Sequence, residues 1–169
     1  MFSIQASPLP DNALLAAYAR DGGYTDCYTV DVPGTISQEQ YVVAFYTTAV
    51  FKLERMILRF AVSKPSTDTQ ARQLAAGSTD EFAAWRVEQR NETQLLMCDF
   101  TGRTRSWLMT LPLPAQHGGG TRLYFGSAVV PANPGRAGLG FTFTALLSFH
   151  KLYSQTLLHA ARKRLSVRP

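Results

Sequence analysis

The sequence has few of the residues on which disulfide-rich, metal-binding and disordered proteins depend. It contains two cysteines, Cys27 and Cys98, and three histidines in 169 residues. Both cysteines lie in strand-like segments, which favours buried, reduced thiols over a disulfide. Charged residues make up only 17% of the chain, too few for a disordered protein, whereas 46% of the residues are hydrophobic. The composition therefore predicts one globular domain with a sizeable core.

Long uncharged hydrophobic runs are also missing. The longest apolar stretches are interrupted by charges such as Lys52, Glu54 and Arg55, so no segment is predicted to cross a membrane. The first residues lack the basic start and apolar centre of a secretory signal. We therefore expect a cytoplasmic protein, with a leader that carries a short helix at residues 1–23 and a single main domain at residues 24–169.

Acidic residues are absent after Asp99, while basic residues continue to the end of the chain, and the net charge is +5. A basic face of this kind attracts a nucleic acid, an anionic membrane surface or an acidic ligand. The pattern also fits two oppositely charged halves that face each other or solvate the fold. Because the basic residues are scattered and do not alternate with aromatic ones, the sequence argues against a nucleic-acid partner.

The order of the periodic segments predicts an α+β fold. Tyr28, Val30 and Val32 alternate with polar residues, which predicts a strand over residues 24–32. Ser37 and Gln40 form a capping box, and a helical period follows for about 20 residues. A short helix is predicted over residues 66–76, and residues 61–81 are expected to form either a lid or a plain crossover.

The second half is predicted to be an antiparallel meander followed by one long helix. Four strands are expected, over residues 82–90, 94–100, 105–111 and 121–130, which makes five with the first. The helix is predicted over residues 141–165, where apolar residues recur at steps of three or four and basic residues fill the last turn.

This order resembles the START-like, or SRPBCC, superfamily with its helix-grip fold. The pieces that carry the resemblance are Ser106-Trp107-Leu108, the strand end from Gly126 to Pro131, and the helical run from Leu147 to Tyr153. The resemblance covers about residues 24–165. It implies a curved antiparallel sheet that wraps the C-terminal helix, a helical insert after the first strand, and an apolar cavity between sheet and helix. No catalytic motif defines this superfamily, so the resemblance implies no single activity.

The cavity that the resemblance implies would be walled by six apolar residues, although such a set also fits a plain core. They are Trp85, Trp107, Met109, Tyr124, Phe149 and Tyr153. His150, Asp99 and Tyr153 are the weak candidates for an acid or base. Asp99 is also predicted to pair with Arg105 across a turn, either facing the cavity or at the surface. The histidines lack metal-site spacing, and no cofactor motif is found.

Three functions follow as hypotheses. The first is binding, transport or sensing of a hydrophobic or amphipathic small molecule between the sheet and the C-terminal helix. The second is a cyclase- or hydratase-like enzyme that uses a cavity His, Asp or Tyr. The third is an interaction module whose basic segment, residues 162–168, docks on an acidic partner or an anionic membrane surface. The sequence indicates no oligomeric state.

Overall fold

The computed structural model describes residues 3–21, 23–52, 66–114, 119–130 and 141–166, and within the last range the side chains of residues 152–165. Its helices are α1 (Ala16–Arg20), α2 (Gln38–Tyr46), α3 (Asp68–Ala75) and α4 (Phe141–Ser166). Its strands are β1 (Gln5–Ala6), β2 (Tyr24–Val32), β3 (Glu81–Phe82), β4 (Trp85–Arg90), β5 (Gln94–Asp99), β6 (Thr104–Pro112) and β7 (Thr121–Val129).

The strands of the described residues form one open, curved sheet. Its order is β1-β2-β7-β6-β5-β4-β3, and every neighbouring pair is antiparallel. Helix α2 follows β2 as an insert, and α4 comes last and contacts α2, β2 and β7. The predicted α+β architecture is thereby confirmed, and the arrangement is consistent with a helix grip.

The capping box at the start of α2 is confirmed, but the helix is shorter than predicted. The Ser37 side chain accepts from the Gln40 amide at 3.1 Å, and the Gln40 side chain accepts from the Ser37 amide at 2.9 Å. Helix α2 ends at Tyr46, and residues 49–52 are helical again. Thr48 explains the break, because its hydroxyl donates back to the Phe45 carbonyl and accepts from the Phe51 amide. The predicted continuation over residues 53–60 lies outside the described residues.

Two short strands were missed from the sequence. The single strand predicted over residues 82–90 is in fact two, β3 and β4, joined at Ala83 and Ala84. Ala83 has a φ of +52°, a turn conformation that glycine or asparagine usually marks in a sequence. Strand β1 pairs Gln5 with Thr29 and Ala6 with Tyr28 at the sheet edge.

One face of the sheet, called here the helix-covered face, packs against α2, α3 and α4. The alternate strand residues that point to this side join helix residues in one large core. The strand members are Tyr28, Val30, Val32, Leu95, Met97, Leu108, Leu123 and Phe125, and the helix members include Tyr41, Phe45, Leu74, Leu157, Leu158 and Ala161. The Tyr41 hydroxyl donates to the Tyr124 carbonyl at 3.1 Å, which fixes α2 above the middle of the sheet.

The opposite face, called here the leader-covered face, packs against residues 9–18 of the leader. A second core combines Ala13 and Leu15 with strand residues of the other alternation, and these are Cys27, Leu96, Trp107, Met109, Tyr124 and Ala128. The Gln94 side chain fastens the leader, because its oxygen accepts from the Leu14 amide and the Trp107 indole, each at 2.9 Å. Both faces of the sheet are therefore covered.

Candidate functional site

Polar side chains interrupt the helix-covered face near one end of β2. In the row of paired residues that crosses the sheet, Asp26 lies opposite Ser127, and Ser127 lies opposite Ser106. The next row along contains Tyr28, Phe125, Leu108 and Leu95, all of them in the apolar core. We call Tyr24, Asp26, Tyr28, Ser106 and Ser127 the Asp26 patch. It places a carboxylate and several hydroxyls at the border of an apolar surface.

The carboxylate of this patch is held in a fixed orientation. Oδ1 of Asp26 accepts from the Ser127 amide at 3.1 Å and from the Ser127 hydroxyl at 2.5 Å. Oδ2 lies 3.4 Å from the Tyr24 hydroxyl, which donates to it. Ser127 itself is only 2% exposed, whereas Asp26 is half-buried. Ser127 and Tyr24 together therefore bond to both oxygens of the Asp26 carboxylate.

Both tyrosines that flank Asp26 in β2 stay protonated at neutral pH. Burial, and after it the negative charge of Asp26, raises the pKa of the Tyr24 hydroxyl. The same two causes raise the pKa of the Tyr28 hydroxyl, and a hydrogen bond with Gln155 opposes them in part. The patch thus offers phenol donors on either side of a carboxylate acceptor.

Helix α4 brings its own polar groups to this region. Gln155, which interacts with Tyr28, is next to Ser154, and Ser154 is completely buried on the stripe that continues with Leu157 and Leu158. Among the described residues, the Ser154 hydroxyl finds no hydrogen-bond partner. A buried hydroxyl in this condition requires an explanation in a native fold, and a bound water or ligand is one such explanation.

The six residues that the sequence predicted as one apolar wall are divided between the two faces of the sheet. Trp107, Met109 and Tyr124 belong to the leader-covered core, and Trp107 and Tyr124 have ring centroids 6.0 Å apart. Trp85 and Tyr153 pack, half-buried, against the helix-covered core. The Phe149 side chain lies outside the described residues. Of the five residues whose side chains are described, only Trp85 and Tyr153 lie on the same side of the sheet as the Asp26 patch.

Asp99 closes the turn between β5 and β6 and does not pair with Arg105. Its carboxylate accepts from the Thr101 hydroxyl, from the Arg103 amide at 2.8 Å and from the Thr104 amide at 2.9 Å. Burial alone would raise the pKa of Asp99, but these hydrogen bonds together lower it below its usual value. The predicted pair is wrong because Arg105 is opposite Cys98 in the sheet, so its side chain lies on the other face.

Arg105 instead joins the leader to the sheet. It forms an ion pair with Glu88 at 2.7 Å and donates to the Tyr18 hydroxyl at 2.9 Å, while Tyr18 donates to Glu88. Its guanidinium also lies 4.7 Å from the centre of the Tyr18 ring. These contacts give the Arg105–Glu88 ion pair a structural role.

The other candidates from the sequence are only partly accounted for. The His150 side chain lies outside the described residues, so an acid–base role for it stays a prediction. In the basic C-terminal segment, Lys163 and Arg164 are exposed, and Arg164 donates to the Thr47 carbonyl at 3.0 Å. Within the described ranges, no group of three His, Cys, Asp or Glu side chains could hold a metal ion.

The hydrophobic stretches of the described helices fall short of what a membrane span requires. No protein-family model matches the chain, and comparisons with curated proteins and with solved structures give no match either. The resemblance to the START-like superfamily therefore stays a prediction, and the case for a function depends on the geometry of the chain itself.

Sequence reasoning missed Asp26 and Ser127, although a signal for Asp26 was present. The alternation of Tyr28, Val30 and Val32 extends back to Asp26, which places this acid on the inward face of its strand. Ser127 carried no such signal, because a serine in a strand is common and its partner is a residue 101 positions away.

Proposed function

We propose that the protein binds a hydrophobic or amphipathic small molecule between the helix-covered face of the sheet and α4, in a role of binding, transport or sensing. The observation that carries this proposal is the Asp26 patch, a set of oriented polar groups at the edge of an apolar surface. Small-molecule sites commonly combine a mainly apolar lining with a few placed polar groups. The order of elements, which resembles the START-like superfamily, supports the same location.

The buried hydroxyl of Ser154 gives a second support for this location. Ser154 lies on the sheet-facing stripe of α4, one position from the residue that interacts with Tyr28. A ligand or a bound water with a polar atom at this point would satisfy a group that the described protein atoms leave unsatisfied.

The test is native mass spectrometry of the freshly purified protein, repeated after denaturing extraction. We expect an additional mass that extraction removes and that can then be identified. Ser106→Leu, which fills the patch, should abolish the additional mass. Thr110→Leu is the matched control, because Thr110 is also buried, on the same strand and the same face, but lies beside Leu123 and away from the patch.

Both variants place a leucine at a buried position on the same face of β6, where Ser106→Leu adds two heavy atoms and Thr110→Leu adds one, so the stability of each has to be measured. Circular dichroism and urea unfolding would establish that each is folded under the conditions of the measurement. Equal retention of the bound mass by Ser106→Leu and Thr110→Leu would contradict a site at the Asp26 patch. A protein that binds none of a panel of hydrophobic and amphipathic compounds would contradict the proposal as a whole.

A further inference from the structure

We propose that a second copy of this chain is a partner of the protein, and that two copies bind by exchanging their leaders. In the exchanged dimer, residues 9–18 of each copy would lie on the leader-covered face of the other. This inference is independent of the proposed function, because that function concerns the opposite face of the sheet.

The leader-covered face has the composition of a protein interface. Trp107, Met109 and Tyr124 are 0%, 3% and 6% exposed beneath the leader. Tryptophan, tyrosine and methionine are enriched at the buried centre of interfaces between proteins. The leader itself shows which occupant fits, since the Leu15 side chain fills the hollow at Gly126. The leader of a second copy has the same sequence and makes the same contacts.

Polar groups of the sheet beneath the leader keep partners within the sheet when the leader is lifted. The Gln94 side chain accepts from the Trp107 indole at 2.9 Å as well as from the leader. Arg105 keeps its ion pair with Glu88 at 2.7 Å and still donates to the Gly102 carbonyl at 2.7 Å. Polar groups that lose their last partner are the expensive ones. Lifting the leader therefore separates mainly apolar surfaces, and exchange with a second copy brings equivalent surfaces together again.

The connection that returns the leader to its own sheet is short and tight. Three residues, 21–23, join α1 to β2. A Cβ atom at Gly23 would lie 3.0 Å from the Tyr18 carbonyl oxygen and 3.3 Å from the Val129 carbonyl oxygen, so the turn has little room for a side chain. Short, constrained connections favour exchange of a segment, because an extended connection relieves the constraint while the docked contacts stay the same.

The experiment follows the mass of the full-length protein by light scattering and native mass spectrometry over a range of concentrations. We expect a dimer whose fraction rises with concentration. Ordinary and isotope-labelled protein would then be mixed at high concentration. A dimer of intermediate mass should appear slowly, because each leader has to open before it can exchange.

Leu15→Ala distinguishes exchange of the leader from contact through another surface. Because Leu15 makes the same contact in the closed and the exchanged forms, this variant should leave the dimer fraction unchanged. It should make the mixed dimer appear at least about tenfold faster, since a truncated leucine holds the closed leader less tightly. Leu14→Ala is the matched control, because Leu14 is only half-buried and its loss should accelerate exchange much less.

A longer connection tests the cause of the exchange. With two glycines inserted after Asp21, the leader reaches its own sheet without constraint, and the dimer fraction should fall by at least about tenfold. Two glycines inserted after Ser78, at an exposed position between α3 and β3, are the matched control. That insertion should leave both the dimer fraction and the exchange rate unchanged.

Two results would overturn the proposal. One is a protein that stays monomeric at every concentration up to about 1 mM. The other is a dimer whose fraction ignores the longer connection and whose exchange rate ignores Leu15→Ala, because its contact would then lie on another surface. Circular dichroism would establish that each variant is folded, and if one of the two fails to fold, the other still decides between the outcomes.

Discussion

The contact between Leu15 and Gly126 gives a quantitative test of how the leader is attached. Leu15 is fully buried against the leader-covered face. A Cβ atom built at Gly126 would lie 2.9 Å from Leu15 Cδ2, 2.9 Å from Trp107 Cε3 and 2.9 Å from the Asp26 carbonyl oxygen. Real Cβ atoms essentially never approach other atoms this closely, so the missing side chain at Gly126 makes the hollow that Leu15 fills.

Two single substitutions disturb this contact in opposite ways. Leu15→Ala empties the hollow, and removal of a buried leucine side chain usually costs about 2–5 kcal/mol. We expect about 2–3 kcal/mol, the lower end of that range, because the leader lies near the chain terminus and can relax. Gly126→Ala overfills the hollow and is expected to cost about 1–3 kcal/mol.

The double variant distinguishes this contact from two independent effects. In the Leu15→Ala background, one of the three close approaches at position 126 disappears, while those to Trp107 and to the Asp26 backbone remain. Gly126→Ala should therefore cost about 1 kcal/mol less in that background than in the unaltered protein, within the usual range for residues in contact. The relief is partial, because the carbonyl oxygen of a paired strand moves less readily than a side chain.

Urea unfolding at neutral pH, followed by tryptophan fluorescence and by circular dichroism, would measure all four proteins. Leu14→Ala is the matched control, because Leu14 is in the same segment but only half-buried, and its loss should cost less than about 1 kcal/mol. Additivity of the two substitutions within about 0.5 kcal/mol would refute the direct contact. A negligible effect of Leu15→Ala would refute docking of the leader altogether.

Three further predictions concern single groups. Because its hydrogen bonds lower the pKa of Asp99, this residue stabilises the fold above its unfolded pKa, and the contribution is lost as the pH falls below about 4. Asp99→Asn should therefore flatten the acid side of a urea-unfolding profile, and an unchanged profile would contradict this. Burial raises the pKa of the Cys27 thiol to about 12, and Cys98 is buried as well. Neither should react with a thiol reagent until urea is added, so rapid native labelling would contradict their burial. Ser154→Ala should leave the free energy of unfolding of the ligand-free protein unchanged or raise it by up to about 1 kcal/mol, whereas a clear loss would reveal a hydrogen-bond partner.

The parts of the fold that are determined by residues close together in the sequence were predictable. The strand Tyr24–Val32 follows from alternation, and the start of α2 follows from the Ser37 capping box. The C-terminal helix follows from its period and its basic last turn, and is found over Phe141–Ser166. Each of these signals lies within a few residues of the element that it predicts.

Those parts that depend on unusual turns or distant partners were not predictable. Ala83 adopts a positive φ without the glycine or asparagine that would mark a hairpin turn, so β3 and β4 were merged. Strand β1 is only two residues long, and its existence depends on pairing with Tyr28 and Thr29, more than 20 positions away. Local propensity contains no information on such a pairing.

The candidate site illustrates the same limit at the level of a whole face. Alternation correctly placed Trp107 and Met109 together, but it does not say which element covers the side that they share. The START-like resemblance suggested the C-terminal helix, whereas the leader covers this side. Because the leader fills one face, Leu15→Ala should lower stability without removing a ligand bound at the Asp26 patch, since Asp26 points to the other face. Ser106→Leu, on the side of the patch, should remove that ligand, and this separation makes the two-sided sheet a testable basis for the proposed function.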